Sequence, residues 1–239
     1  MTKFIDNPVF CALDMPDVGV ALEQAKKLNG LIGGIKLGLE FFLANGPQAL
    51  DNMSKAGHPI FLDLKLHDIP NTVAGAVRSL APLGVDILTI HTQGGPNMMS
   101  AAVDSAHDEA AKLGLTPPKI IGVTILTSLD VDDLSKMGVY QSVEDQVLNL
   151  ATLAKASGLD GIVCSPLEIA SIRAELGDEF MLVVPGIRLA GSKAGDQKRV
   201  LSPSEAVAAG ADILVIGRPI TQAENIEAAA LAIKDSLNL

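Results

Sequence analysis

Tryptophan is absent from this 239-residue chain, and aromatic residues make up only 3% of it. The core must therefore rest on Val, Ile, Leu and Ala within a hydrophobic content of 48%. Cysteine is scarce too. Cys11 and Cys164 each lie in an apolar run, "VFCAL" and "GIVCS", which reads as two reduced core thiols rather than a disulfide framework. The four histidines show no H-x-x-H or H-E-x-x-H spacing, so no metal set is expected. Positive charge is also short: 18 Lys and Arg against 28 Asp and Glu give a formal net charge of −10. That balance excludes a general affinity for nucleic acid or anionic membranes, and an anionic ligand would need a few cations gathered locally. No segment approaches the roughly 20 continuous apolar residues of a membrane span. The opening "MTKFIDNPVF" does not read as a leader, so the expectation is a soluble, cytoplasmic protein.

What the chain does have is a rhythm. Short β-type runs recur eight times: "PVFCALD", "GGIKLG", "PIFLDLKL", "VDILTIH", "KIIGVTIL", "LDGIVCS", "FMLVVPGI" and "DILVIG". Helical spacing follows each, as in "VGVALEQAKKL" and "SVEDQVLNLATLAKA". Near-continuous Val/Ile/Leu runs alternating with amphipathic helices predict a parallel sheet covered by helices. Eight such units in this length predict one domain over residues 1–239, a (β/α)8 TIM barrel. An open doubly wound sheet is the rival, but the turn after the first run, "ALDMPDVG", lacks G-x-G-x-x-G. A barrel gathers its chemistry where strands end, with phosphate held after strands seven and eight. The polar residues fall at those ends: Asp14, Lys36, Asp63, Lys65, His91, Thr127, Arg188 and Arg218.

"FLDLKLHDIPNTV", residues 61–73, sets charges into an otherwise greasy strand. Alternation places Asp63 and Lys65 on one face and Leu62, Leu64 and Leu66 on the other, so the charged pair points into the barrel. Lys36 on the neighbouring strand comes within reach of Asp63. Asp68 falls in the turn before a helix that Pro70 and Thr72 help start. A buried ion-pair network could serve packing alone, but desolvating several charges in one place is costly, and catalysis explains them better. Schiff-base chemistry needs a neutral amine, whereas carboxylates beside Lys65 favour the ammonium. An ammonium can protonate a carbanion. Asp63 would repel a substrate carboxylate, and losing CO2 would relieve that repulsion. The arrangement suits decarboxylation with protonation at the vacated carbon.

"DLKLHDIPNTV", together with "ALD" at 12–14, "IKLG" at 35–38, "VTILTS" at 123–128, "PGIR" at 185–188, "GDQKR" at 195–199 and "VIGRPI" at 215–220, resembles the orotidine 5′-phosphate decarboxylase family. The resemblance runs in order from about residue 8 to the C-terminus. It implies a (β/α)8 homodimer that converts orotidine monophosphate to UMP and CO2, the last step of pyrimidine synthesis, without metal or organic cofactor. By motif, Lys65 would be the proton donor, Asp63 would lie beside the substrate carboxylate, and Lys36 would link ribose hydroxyls to the charged network. Asp68 and Thr72 would reach into the partner subunit's site. Asp14 would bind ribose and Thr127 the pyrimidine edge. Pro185 belongs to the substrate-binding set, Arg188 and Arg218 would hold phosphate with the Gly217 amide, and Gln197 would bridge phosphate loop and base. Leu189 departs from the Pro found at that place in many bacterial members, which would leave the loop somewhat freer.

The segment 186–199, with three glycines and four cations, reads as a closing phosphate lid in a barrel. His67 reads as structural, His91 as packing near the mouth, and His58 and His107 as loop and helix-surface residues. Met98, Met99, Phe41 and Phe42 read as core or dimer-contact residues. A related decarboxylase acting on 3-keto-gulonate 6-phosphate shares D-x-K-x-x-D but places a metal-binding carboxylate on strand two, where this chain has Lys36. A non-catalytic phosphate-binding sensor would have no need of Lys65.

Overall fold

Eight parallel strands close into a barrel in chain order, with β1 pairing to β8. The structure is a computed structural model and describes residues 6–188 and 201–239. The strands are β1 (Val9–Ala12), β2 (Gly34–Gly38), β3 (Ile60–Leu66), β4 (Ile87–His91), β5 (Lys119–Val123), β6 (Gly161–Val163), β7 (Met181–Val184) and β8 (Ile213–Ile216). Around them run α1 (Val18–Lys27), α2 (Leu39–Asn45), α3 (Gln48–Ser54), α4 (Pro70–Leu80), α5 (Pro96–Leu113) and α6 (Val131–Lys136). The outer layer continues with α7 (Val143–Ala156), α8 (Ile169–Leu176), α9 (Pro203–Ala209), α10 (Arg218–Thr221) and α11 (Ile226–Ser236). The predicted fold class and all eight predicted strands are therefore present. Among the described residues, two of the intervals between strands hold two α-helices each. Gly46 adopts φ 69° after α2, and Pro47 starts a new turn leading into α3; after β5, α6 precedes α7.

Alternation along the strands sorts the core into two compartments. Outward residues such as Cys11, Leu62, Ile90, Ile162 and Leu214 pack under the helices. Inward residues Phe10, Phe61, Ile87, Ile121, Val183 and Ile213 form a plug inside the barrel. The scarce aromatics count here: Phe10 and Phe61 meet edge to face at 6.4 Å. Phe10 occupies the space beside its register partner Gly34, where a Cβ would lie 2.3 Å from the ring. The polar inward positions Lys36, Asp63 and Thr89 are buried nearer the strand ends.

A sequence repeat anchors the opposite, N-terminal rim. Gly84-Val85-Asp86, Gly158-Leu159-Asp160 and Gly210-Ala211-Asp212 precede β4, β6 and β8. Each glycine takes a positive φ, of 70°, 85° and 113° respectively, which costs a glycine little. The next residue is buried. Each aspartate then accepts a hydrogen bond from a backbone N–H of the preceding strand: Ile60 to Asp86 at 2.8 Å, Ile120 to Asp160 at 2.9 Å, Leu182 to Asp212 at 2.7 Å. The aspartates' own N–H groups return bonds to the same residues' carbonyls. These carboxylates extend the ladder where it would otherwise leave donors unpaired. Among the described residues, no helix is long and apolar enough to cross a membrane.

Candidate active site

β3 does not run regularly to its end. Its pairing with β4 shifts between Leu62 and Leu66, so that Leu62 opposes Leu88 while Leu66 opposes Ile90. Within this bulge Lys65 adopts φ 51°, a left-handed backbone that costs a side-chain-bearing residue about 1–2 kcal/mol. Simple alternation thus reaches the right face by an irregular route: Leu64 and Leu66 are only partly buried against the outer core, while the Lys65 ammonium meets Asp63. Strained backbone at such a point is characteristic of functional sites.

A continuous charged chain follows. Lys65 Nζ lies 2.7 Å from Asp63 Oδ2, Lys36 Nζ lies 3.5 Å from the same oxygen, and Lys36 Nζ donates to Asp14 Oδ1 at 2.9 Å. Asp14 sits beyond the end of β1, its side chain 52% exposed, whereas Lys36 and Asp63 are nearly closed off at 10% and 11%. The remaining Asp63 oxygen accepts from the Thr89 hydroxyl at 2.8 Å. Burial acts to raise the Asp63 pKa, but the Lys36 and Lys65 ammonium groups and the bonds from Lys65 and Thr89 outweigh it, holding the carboxyl below its ordinary value. Asp63 is thus a fixed anion between two cations.

Two adjoining cavities open over this chain, and Lys36, Pro185 and Val215 line both. The larger, about 470 Å³, is lined by Asp14, Arg188, Gly217, Arg218, Thr221 and Gln222 among others. The smaller, about 170 Å³, has Asp63 and Lys65 at one side and apolar walls from Phe61, Val123, Ile125, Val163 and Val183, with Thr127 at its edge. Arg218 opens α10 directly after Gly217, and Arg188 follows β7, tied by its N–H to Leu201 O at 3.0 Å. The structure brings Asp14, Lys36, Asp63, Lys65, Thr127, Pro185, Arg188, Gly217 and Arg218 to these connected spaces.

Asp68 and Thr72 stand apart. Both are exposed, and the Asp68 carboxylate accepts from the Ile69 N–H at 2.7 Å rather than pairing with Lys65 of its own chain. Ile69 beside them is 67% exposed, and Pro70 opens α4. Gln197 and Leu189, and most of the 186–199 segment, lie outside the described residues.

His58 lies in the loop before β3, as expected, and is buried there, its Nε2 bonded to Ala25 O at 2.8 Å where that loop folds against α1. His91 stands near the mouth with its ring 5.5 Å from that of His67, and its Nδ1 is buried without a hydrogen-bond partner. Burial lowers its pKa below 6.5, with His67 and Lys65 adding to the effect and Asp63 opposing it. The thiols are walls of the core: burial pushes Cys11 up to about 12 and raises Cys164 as well, leaving neither as a ready nucleophile. Met98, Met99 and Phe41 are fully buried, and Phe42 partly so.

Thr89 is the member of the hydrogen-bonded network around Asp63 and Lys65 that the motifs do not mark. Its signal was the parity of β4, where Ile87, Thr89 and His91 share the inward face, so a hydroxyl falls beside the charged strand.

Fold and site together define a (β/α)8 barrel whose mouth joins a two-arginine pocket to a lysine–aspartate chain. The family model described as "Orotidine 5′-phosphate decarboxylase / HUMPS family" matches residues 7–233. The chain is 55% identical to the orotidine 5′-phosphate decarboxylase of Paramagnetospirillum magneticum, covering 98% of this chain and 99% of that protein. It is 54% identical to that of Rhodospirillum rubrum, covering 96% and 94%. Among solved structures, the orotidine 5′-phosphate decarboxylase of Lactobacillus acidophilus superposes with a TM-score of 0.83 at 38% identity, covering 98% of this chain and all of that one. This chain belongs to the orotidine 5′-phosphate decarboxylase / HUMPS family.

Proposed function

We propose that this enzyme decarboxylates orotidine 5′-monophosphate to UMP and CO2 in pyrimidine synthesis, with Lys65 as the proton donor. Family membership and full-length relatives carrying that name support the reaction. The observation that carries the mechanism is the Asp63 carboxylate held between the Lys36 and Lys65 ammonium groups, with Asp63 and Lys65 lining the smaller cavity and Lys36 lining both.

The larger cavity suits a ribose phosphate: Arg188, Arg218 and the Gly217 backbone bind the phosphate, and Asp14 and Lys36 the ribose hydroxyls. The smaller, mostly apolar cavity suits the pyrimidine, with Thr127 at its edge, Pro185 between the compartments, and Gln197 bridging phosphate loop and base. The substrate carboxylate then lies against Asp63. The bond from the ring carbon to this carboxylate breaks, its electron pair stays on the ring, and CO2 departs. A Lys65 Nζ–H bond supplies the proton to that carbon, and solvent later restores the proton to the amine. Nothing in this sequence requires a metal or organic cofactor.

The exposed run from His67 to Thr72 supports a homodimer in which Asp68 and Thr72 complete the partner's site, and the enzyme is expected in the cytoplasm. The sugar-phosphate alternative would need a carboxylate for a metal where Lys36 lies between Asp14 and Asp63. The test is loss of the orotate chromophore on adding orotidine 5′-monophosphate. Turnover unaffected by EDTA supports the proposal; UMP binding without turnover, or a strict Mg²⁺ requirement, contradicts it.

A further inference from the structure

We propose that Thr89 is a positioning residue for the decarboxylation, its single hydroxyl locking Asp63 and the strained Lys65 backbone into one unit. This inference rests on the functional reading above. Thr89 is fully buried and touches neither solvent nor the phosphate side of the site. Its Oγ1 accepts from the Lys65 backbone N–H at 2.9 Å and donates to Asp63 Oδ1 at 2.8 Å. Asp63 Oδ2 in turn holds Lys65 Nζ at 2.7 Å. The ring is closed: hydroxyl to carboxylate, carboxylate to ammonium, and the same lysine's amide back to the hydroxyl.

The bulge explains why a side chain is needed. Where the β3–β4 register slips between Leu62 and Leu66, the Lys65 N–H loses a regular ladder partner, and a buried unpaired amide is costly. Thr89 supplies the acceptor, which helps hold Lys65 at φ 51°. Because the hydroxyl proton is committed to Asp63, its lone pair is directed to the amide. The same bond leaves Asp63 Oδ2 facing both lysines, fixing which oxygen stands beside the substrate.

The test compares Thr89→Val, which keeps the shape and removes the hydroxyl, with Thr89→Ser and Thr89→Cys. Turnover is normalised to UMP-binding sites, so a merely misfolded fraction does not count. Thr89→Val is expected to lose about 10- to 100-fold in kcat, the scale of a buried bond to a charged group, while UMP affinity changes less than about 3-fold. Thr89→Ser should stay near wild type. Thr89→Cys, with a weaker donor and acceptor, should fall between and serves if the valine variant does not fold. A valine or cysteine variant within about 2-fold of wild type per site, or a serine variant as impaired as either, would overturn the assignment. Wild-type turnover, measured alongside, separates this failure from failure of the proposed reaction.

Discussion

Position 38 leaves no room for even one methyl group. A Cβ on Gly38 would lie 2.8 Å from Asp14 Oδ1 and 3.2 Å from Lys36 Nζ, so Gly38→Ala must push the half-exposed Asp14 off Lys36. The barrel can absorb that movement, but the proposed ribose contact cannot. UMP affinity is expected to fall about 10-fold, the low end for a lost charge-assisted bond, with the melting temperature almost unchanged; calorimetric titration checks it, and affinity within 2-fold of wild type would contradict it. His91 gives a pH prediction. Its folded pKa is depressed below 6.5, so as pH falls the unfolded chain takes up a proton before the native one does. His91 therefore leaves stability intact above about pH 6.5 and erodes it as pH drops toward the folded value. Denaturant midpoints between pH 7.5 and 5 should decline less steeply in His91→Gln than in wild type, and parallel declines would refute the assignment.

The elements show how much could be read from residue order. Eight apolar runs and their helical intervals specified the barrel, because inward and outward faces of a parallel strand both need Val, Ile and Leu. The charged positions Asp63, Lys65 and Lys36 were legible by alternation, and they do meet. The bulge was not. A period of two assumes regular pairing, and the slip that turns Lys65 left-handed depends on β4 and on the Thr89 hydroxyl, 24 residues away. The Gly-apolar-Asp repeat at the lower rim was visible in the letters, but its meaning needs the neighbouring strand. Asp86 belongs to structure alone: Asp86→Ala leaves the N–H of buried Ile60 without its carboxylate partner. It should cost about 1–3 kcal/mol in chemical denaturation and leave kcat per folded site unchanged. A large loss of kcat per folded site would show that the rim is coupled to the mouth.

At the scale of the whole molecule, a chain of net charge −10 gathers Lys36, Lys65, Arg188 and Arg218 around connected cavities, the local cation supply an anionic nucleotide requires. The proposed dimer adds a test by complementation. Lys65→Ala and Asp68→Ala homodimers should each be nearly inactive, and subunit exchange between them should restore about one quarter of wild-type activity, since random pairing makes half the dimers mixed and each mixed dimer holds one intact site. Absence of any recovery after verified exchange would remove Asp68 from the partner's site. The most direct measurement is turnover of orotidine 5′-monophosphate by wild type and Lys65→Ala, each with its UMP-binding sites counted. The lysine-as-donor account predicts rapid loss of the orotate chromophore with wild type and a fall of about 10³-fold or more in the variant, at the strong end of general-acid effects. A variant that still binds UMP and turns over within about 10-fold of wild type would contradict it.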